Sequence, residues 1–170
     1  GGVGITTLAG NIFYDLKIYE EFPTRIWITA YQELHVRNAF LFILRVHACH
    51  TDEIDNKTDY ELAELTSRFL NYRKFLLVLD DLSSPQDWDR IRNALPMQNK
   101  RGKVLITSRQ MDVCRYANPA REPHELRSLT SEESWLLLRL EVFGKPEFPL
   151  ELEDEGKLIA DQCRGLPLAL

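Results

Sequence analysis

The stretch KFLLVLDD, residues 74–81, constrains the fold more than any other part of this chain. An unbroken apolar run, Phe75 to Leu79, leads into two aspartates. A strand with one face in water alternates apolar and polar side chains, whereas a strand covered on both faces reads as a continuous apolar run. That cover normally comes from the helices of a parallel sheet. The flanking sequence supplies candidates for both layers. RIWITA (25–30) and KVLITSR (103–109) read as further strands, and EPHELRSL (122–129) as a weaker one. Between them lie helical patterns. One is predicted over Thr6–Glu20, and one over Val36–His50 with Phe40, Ile43, Leu44 and His47 on its face. Another is predicted over Tyr60–Leu70 with Leu62, Leu65 and Phe69 on one side. SPQDWDRIRNAL (84–95) starts a helix with Pro85 in its first turn. Thr130 and Glu133 form a T-x-x-E capping box ahead of SWLLLRLEVFG, which Gly144 closes. A last helix is expected from about Glu151. Strands alternating with helices give an α/β fold, a parallel sheet flanked by helices.

Charge and cysteine usage narrow the function. With 26 acidic against 21 basic residues the net charge is −5. An acidic chain has little electrostatic pull on nucleic acid or anionic membrane. No apolar run approaches the 18 residues of a membrane span. Cys49, Cys114 and Cys163 are scattered and odd in number, which suits reduced thiols in the cytoplasm.

Three stretches carry chemistry. A phosphate loop follows G-x-x-x-x-G-K-[ST]. GGVGITT (1–7) supplies its second half, with Gly4 at the later glycine, Ile5 at the lysine and Thr6 at the magnesium-binding hydroxyl. Glycines matter there because backbone N–H groups must turn inward around phosphate oxygens. The helix that follows adds its positive end. A plain glycine turn before a helix remains the competing reading. Asp80, at the end of a rigid buried strand, suits the water shell of a magnesium ion. Asp81 suits polarisation of a water attacking a γ-phosphate. A strand ending in an acidic turn is the alternative. Arg109 ends its strand on the side where open α/β sheets bind ligands. A guanidinium held there is suited to sensing a γ-phosphate, although a surface arginine fits the same pattern.

In order along the chain these stretches resemble the NB-ARC nucleotide-binding domain of plant NLR disease-resistance proteins. GGVGITTLA resembles the family's phosphate loop, and FPTRIWITAYQEL is similar to RNBS-A of the coiled-coil, non-TIR branch. KFLLVLDDL resembles kinase-2, GKVLITSRQMDVC resembles RNBS-B, HELRSLTSEESWLLLRLEVFG resembles RNBS-C, and CRGLPLAL resembles the GLPL motif. The resemblance implies a P-loop NTPase fold of the STAND type. Residues 1–128 would form the nucleotide-binding subdomain, and 129–170 the start of the helical ARC subdomain. It implies that Gly1, Gly2, Val3, Gly4, Ile5, Thr6 and Thr7 surround the phosphates. Arg109 would sense the γ-phosphate and Pro167 would pack near the adenine. Thr6 and Asp80 would serve Mg2+, and Asp81 would support hydrolysis. The implied function is an ADP/ATP switch in a cytoplasmic immune receptor, at most a slow ATPase, that oligomerises on activation. Its partners would be the coiled-coil and leucine-rich repeat domains of the same receptor.

The chain departs from the family pattern at three positions. Ile5 replaces the lysine, and Leu82 and Ser83 stand where the coiled-coil branch has a tryptophan, with Trp88 later. The chain reads as a fragment from phosphate loop to GLPL. The first strand of the fold would precede Gly1, so KFLLVLD, RIWITA and KVLITS are expected to form one parallel sheet. The segment around His124 would then be displaced from it.

Other readings compete with the switch. Ile5 favours a degenerate scaffold that binds nucleotide weakly or not at all. A metabolic P-loop kinase or ATPase is disfavoured because no substrate-binding insertion is visible. NKTD (56–59) matches a guanine-reading motif but precedes the acidic strand instead of following it, so it is read as linker. His47, Cys49 and His50 lack a second ligand pair at zinc spacing. Trp135, Leu138 and Val142 are expected in the core.

Overall fold

A computed structural model describes residues 2–30, 35–47, 53–96, 98 and 100–170. Contacts divide the chain into two units, one of residues 8–123 and one of residues 1–7 with 124–170.

In the first unit, strands β1 (Thr24–Thr29), β2 (Phe75–Asp80) and β3 (Lys103–Ile106) form one parallel sheet in the order β1-β2-β3. This is the single parallel sheet expected for RIWITA, KFLLVLD and KVLITS. The ladder runs from Thr24 opposite Phe75 to Thr29 opposite Asp80, and from Leu76 opposite Lys103 to Leu79 opposite Ile106. Every residue of the central strand is buried, as its lack of alternation requires.

Alternate side chains of β2 enter different layers. Leu77 and Leu79 join Ile26 and Ile28 in the larger core. There they meet Ile43 and Leu44 of α3 (Val36–His47), Leu62 and Leu70 of α4 (Asp59–Asn71), and Trp88 and Ile91 of α5 (Pro85–Arg92). Leu76 and Val78 enter the smaller core with Ala9 and Phe13 of α1 (Ile5–Tyr14) and with Phe22, which follows α2 (Leu16–Glu21). Burying a side chain of this size contributes about 1.5–3 kcal/mol. The run Leu77–Leu79 therefore anchors both layers at once.

Several local expectations need correction. The helix predicted over Thr6–Glu20 is two helices, because Asp15 turns extended (φ −61°, ψ 134°) and caps α2 by accepting from the N–H groups of Lys17 and Ile18 at 2.9 and 3.1 Å. Such a cap offsets the interruption, since Asp favours N-cap positions over helix interiors. The segment 122–129 carries no strand; Leu129 N–H donates to Gly165 O at 2.9 Å instead of entering a ladder. A short helix, α6 (Met111–Ala117), was not foreseen, and its N-cap Gln110 makes no side-chain cap bond that would signal it. Thr58 of NKTD is the N-cap of α4, its hydroxyl and Glu61 forming a reciprocal capping box.

In the second unit, α7 (Ser131–Phe143) begins at the foreseen Thr130–Glu133 box and ends at Gly144 in the left-handed region, φ +68°. Trp135 is buried and meets Phe148 edge-on at 5.0 Å, with the Arg139 guanidinium over both rings. It also lies against Gly156 of α8 (Glu153–Gln162). Leu138 is half-buried, but Val142 in the last turn of α7 is exposed.

Candidate functional site

The carboxyl ends of β2 and β3 are tied together by one buried hydroxyl. Register places Thr107 one step beyond the Leu79–Ile106 pair, level with Asp80. Its backbone N–H donates to Leu79 O at 3.0 Å, and its carbonyl accepts from Leu82 N–H at 2.9 Å. Its Oγ1 donates to Asp80 Oδ1 at 2.6 Å and accepts from Asp81 N–H at 2.9 Å. Both Thr107 and Asp80 are buried. A hydrogen bond to a carboxylate is short and strong, so the Asp80 side chain is fixed in orientation.

Asp81 follows in the left-handed region, φ +59°. That turns it out of the strand direction and leaves its carboxylate half-exposed. Arg109 takes both oxygens, Nε to Oδ1 at 3.0 Å and Nη2 to Oδ2 at 2.7 Å. The next residue back, Ser108, donates to Leu82 O at 2.6 Å and accepts from Gln110 N–H at 3.0 Å, which fixes the turn carrying Arg109. The structure thus brings together Asp80, Asp81 and Arg109, all singled out in the sequence, and adds Thr107, which was not. The missed signal was available. Aligning the ends of the apolar runs in LLVLDD and KVLITS sets a threonine beside the first aspartate.

The glycine stretch lies in the other unit. Gly2 and Gly4 both adopt positive φ, +92° and +88°, conformations that L side chains rarely take. Helix α1 starts directly after them at Ile5. The first turn of a helix carries N–H groups without intrahelical partners, which with the positive helix end suits an anion. Thr6 and Thr7 lie exposed in that turn, and Ile5 adds a half-buried apolar side chain with no donor. Gly2 O accepts from Leu168 N–H at 3.2 Å, and Pro167 Cγ lies 4.0 Å from where a Gly4 side chain would begin. GLPL therefore packs on the loop. The loop's glycines, dihedrals and following helix fit a phosphate group, while the ammonium of a complete phosphate loop is missing. Gly1 lies outside the described residues.

The NB-ARC domain family matches this chain over residues 1–147. The chain belongs to that family. The matched span includes the glycine loop, Asp80, Asp81, Thr107 and Arg109. It is similar to a protein of Arabidopsis thaliana named as a disease resistance protein, 33% identical over 177 residues, with 100% of this chain and 20% of the relative aligned. A second disease resistance protein of the same plant is 36% identical over 175 residues, again with 100% of this chain and 20% of the relative. A late blight resistance protein homolog of Solanum demissum is 31% identical over 169 residues, with 99% of this chain and 13% of the relative. This NB-ARC chain thus spans a fifth or less of the length of these three relatives.

Other candidates carry less. Among the described residues no group of three His, Cys, Asp or Glu side chains is placed to hold a metal ion. Cys49, His50 and the side chain of His47 lie outside what is described. Burial pushes the Cys114 thiol up, away from the reactive thiolate. No helix among the described residues is long and apolar enough to cross a membrane.

Proposed function

We propose that this NB-ARC chain is the adenine-nucleotide-binding switch module of a plant immune receptor of the coiled-coil branch, working in the cytoplasm. The observation that carries the reading is the pair of positive-φ glycines running directly into α1, within the span matched by the family. Gly1, Gly2, Val3, Gly4, Ile5, Thr6 and Thr7 would hold the phosphates through backbone N–H groups and hydroxyls, and Pro167 would lie against the adenine. Thr6 and Asp80 would hold Mg2+, with Thr107 keeping the Asp80 carboxylate in one orientation. Arg109 would read a terminal phosphate, and Asp81 would hold a water in slow hydrolysis. The nucleotide, when bound, supplies the phosphate charge to which these groups respond. Residues 1–128 are assigned to the nucleotide-binding subdomain and 129–170 to the start of the helical one. Coiled-coil and leucine-rich repeat domains of the same receptor, and further copies on activation, are the proposed partners.

Ile5 supports a second reading, a scaffold that keeps the fold and binds nucleotide feebly. An ammonium at this position would add one or two charge-assisted hydrogen bonds of roughly 1.5–3 kcal/mol each. Ile5→Lys is therefore expected to tighten ADP or ATP at least about tenfold in a calorimetric titration with Mg2+. Measurable binding by the unmodified chain that tightens in Ile5→Lys supports the switch. Binding by neither protein leaves the scaffold.

A further inference from the structure

The two side chains with the most different proposed tasks at this site hold each other. Both oxygens of Asp81 are taken by the Nε and Nη2 edge of Arg109, at 3.0 and 2.7 Å. The Asp81 backbone is turned toward this pairing by its left-handed conformation, φ +59°, and is fixed there by the N–H bond to Thr107 Oγ1. Ser108 fixes the Arg109 side of the turn through its bonds to Leu82 O and Gln110 N–H. The pair is thus built from both strand ends. It is not an incidental meeting of two long side chains, since Asp81 has little freedom and Arg109 starts from a fixed turn.

We propose that the Asp81–Arg109 pair is a latch that discriminates a nucleoside triphosphate from a diphosphate. The inference rests on the nucleotide-binding reading above and specifies how that site is regulated. The planar fork that grips a carboxylate also fits two oxygens of a phosphate. With Asp81 in place the guanidinium is already neutralised. A terminal phosphate that reaches Arg109 either displaces the carboxylate or accepts its like charge close by. A diphosphate, lacking that terminal group, leaves the pair undisturbed. Asp81 therefore lowers affinity for the triphosphate selectively, and the latch holds the chain toward its diphosphate form.

Arg109 is largely exposed, so the effect is limited by solvent screening. Exposed pairs with good bidentate geometry shift an equilibrium by about two- to fivefold. Asp81→Asn is the discriminating variant, because asparagine tolerates the left-handed region and keeps the N–H bond to Thr107. The 170-residue chain carrying Ile5→Lys is titrated with ADP and with a β,γ-methylene ATP analogue, both with EDTA and with Mg2+. Adding Asp81→Asn is expected to raise the triphosphate-over-diphosphate affinity ratio two- to fivefold in both media. Adding Arg109→Gln is expected to lower the ratio and to make Asp81→Asn without further effect. An unchanged ratio in Asp81→Asn, with both nucleotides bound, overturns the latch alone. So does a rise of equal size in the Arg109→Gln background, which would mean that Asp81 acts on phosphate directly. Binding of neither nucleotide overturns the nucleotide reading and the latch with it.

Discussion

Replacing Thr107 by valine removes one oxygen and changes almost nothing in shape, yet the geometry makes it a severe change. The hydroxyl donates to the buried Asp80 carboxylate at 2.6 Å and accepts the Asp81 amide at 2.9 Å. A hydrogen bond to a charged group contributes roughly 1.5–3 kcal/mol, and a buried amide deprived of its acceptor costs roughly 1–3 kcal/mol. Asp81 is half-exposed, so the second figure belongs at its lower end. Together they give a loss of about 2–4 kcal/mol, a large part of the roughly 5–15 kcal/mol that holds a typical domain folded. At about 2–4 °C per kcal/mol for a chain of this size, thermal unfolding should fall by roughly 5–15 °C. Thr107→Ser keeps the hydroxyl and should lose less than about 1 kcal/mol, the value of a methyl group. Urea unfolding of the three proteins followed by circular dichroism separates the two contributions. A valine variant within about 0.5 kcal/mol of the parent would refute the claim that this hydroxyl joins the strand ends.

Asp15→Ala removes the side chain that caps α2 and should cost about 1 kcal/mol, read as a drop of about 2–4 °C in unfolding temperature; an unchanged temperature would mean the break before α2 is held by packing alone. Gly165→Ala puts a side-chain carbon 2.3 Å from Leu129 O in a residue with φ +70°, so neither backbone can yield without losing the bond between them. At least about 2 kcal/mol should be lost, and a neutral variant would show that the loop before α7 is not held by GLPL. Glu133 is held well below its ordinary value of 4.5, to about 2, first by the Arg127 guanidinium and then by the Thr130 N–H. Because the folded value is depressed, its contribution to α7 is complete above pH 4.5 and is lost as the pH falls toward 2. An NMR titration that finds the carboxyl half-protonated at pH 4 or above would contradict the pairing, and Arg127→Ala should raise the midpoint.

The central strand and its neighbours were legible because an apolar run without alternation has few structural homes, and Leu77 and Leu79 could only face one layer while Leu76 and Val78 faced the other. The α4 and α7 starts were equally legible, since Thr58 with Glu61 and Thr130 with Glu133 satisfy exposed N–H groups by local chemistry alone. The break at Asp15 was hidden because the apolar spacing continues through it, and only the cap reveals the interruption. The weak strand read at 122–129 forms no ladder, in keeping with the expectation that this segment stays out of the sheet; a strand is a property of its ladder, and periodicity by itself does not supply the partner. At the candidate site, Asp80, Asp81 and Arg109 could be singled out by type and position, and the structure brings them together. Their mutual contacts, and the part of Thr107, depended on register between strands far apart in sequence.

The described residues with positive φ fall mostly in the stretches that the sequence singles out. They are Gly2, Gly4, Asp81, Gly144, Arg164 and Gly165. Gly144 merely ends α7; the others fall in the glycine loop, the acidic turn after β2 and the GLPL stretch. A non-glycine residue in this region bears strain on the order of 1–2 kcal/mol, and such strain persists where surrounding contacts over-determine the backbone. At Asp81 those contacts are the Thr107 hydroxyl on its amide and the Arg109 fork on its carboxylate. Glycine at position 81 would make the same turn without strain, but it would leave Arg109 without its partner. The carboxylate, and not the turn, is therefore what this position supplies, and it supplies it facing the Arg109 guanidinium.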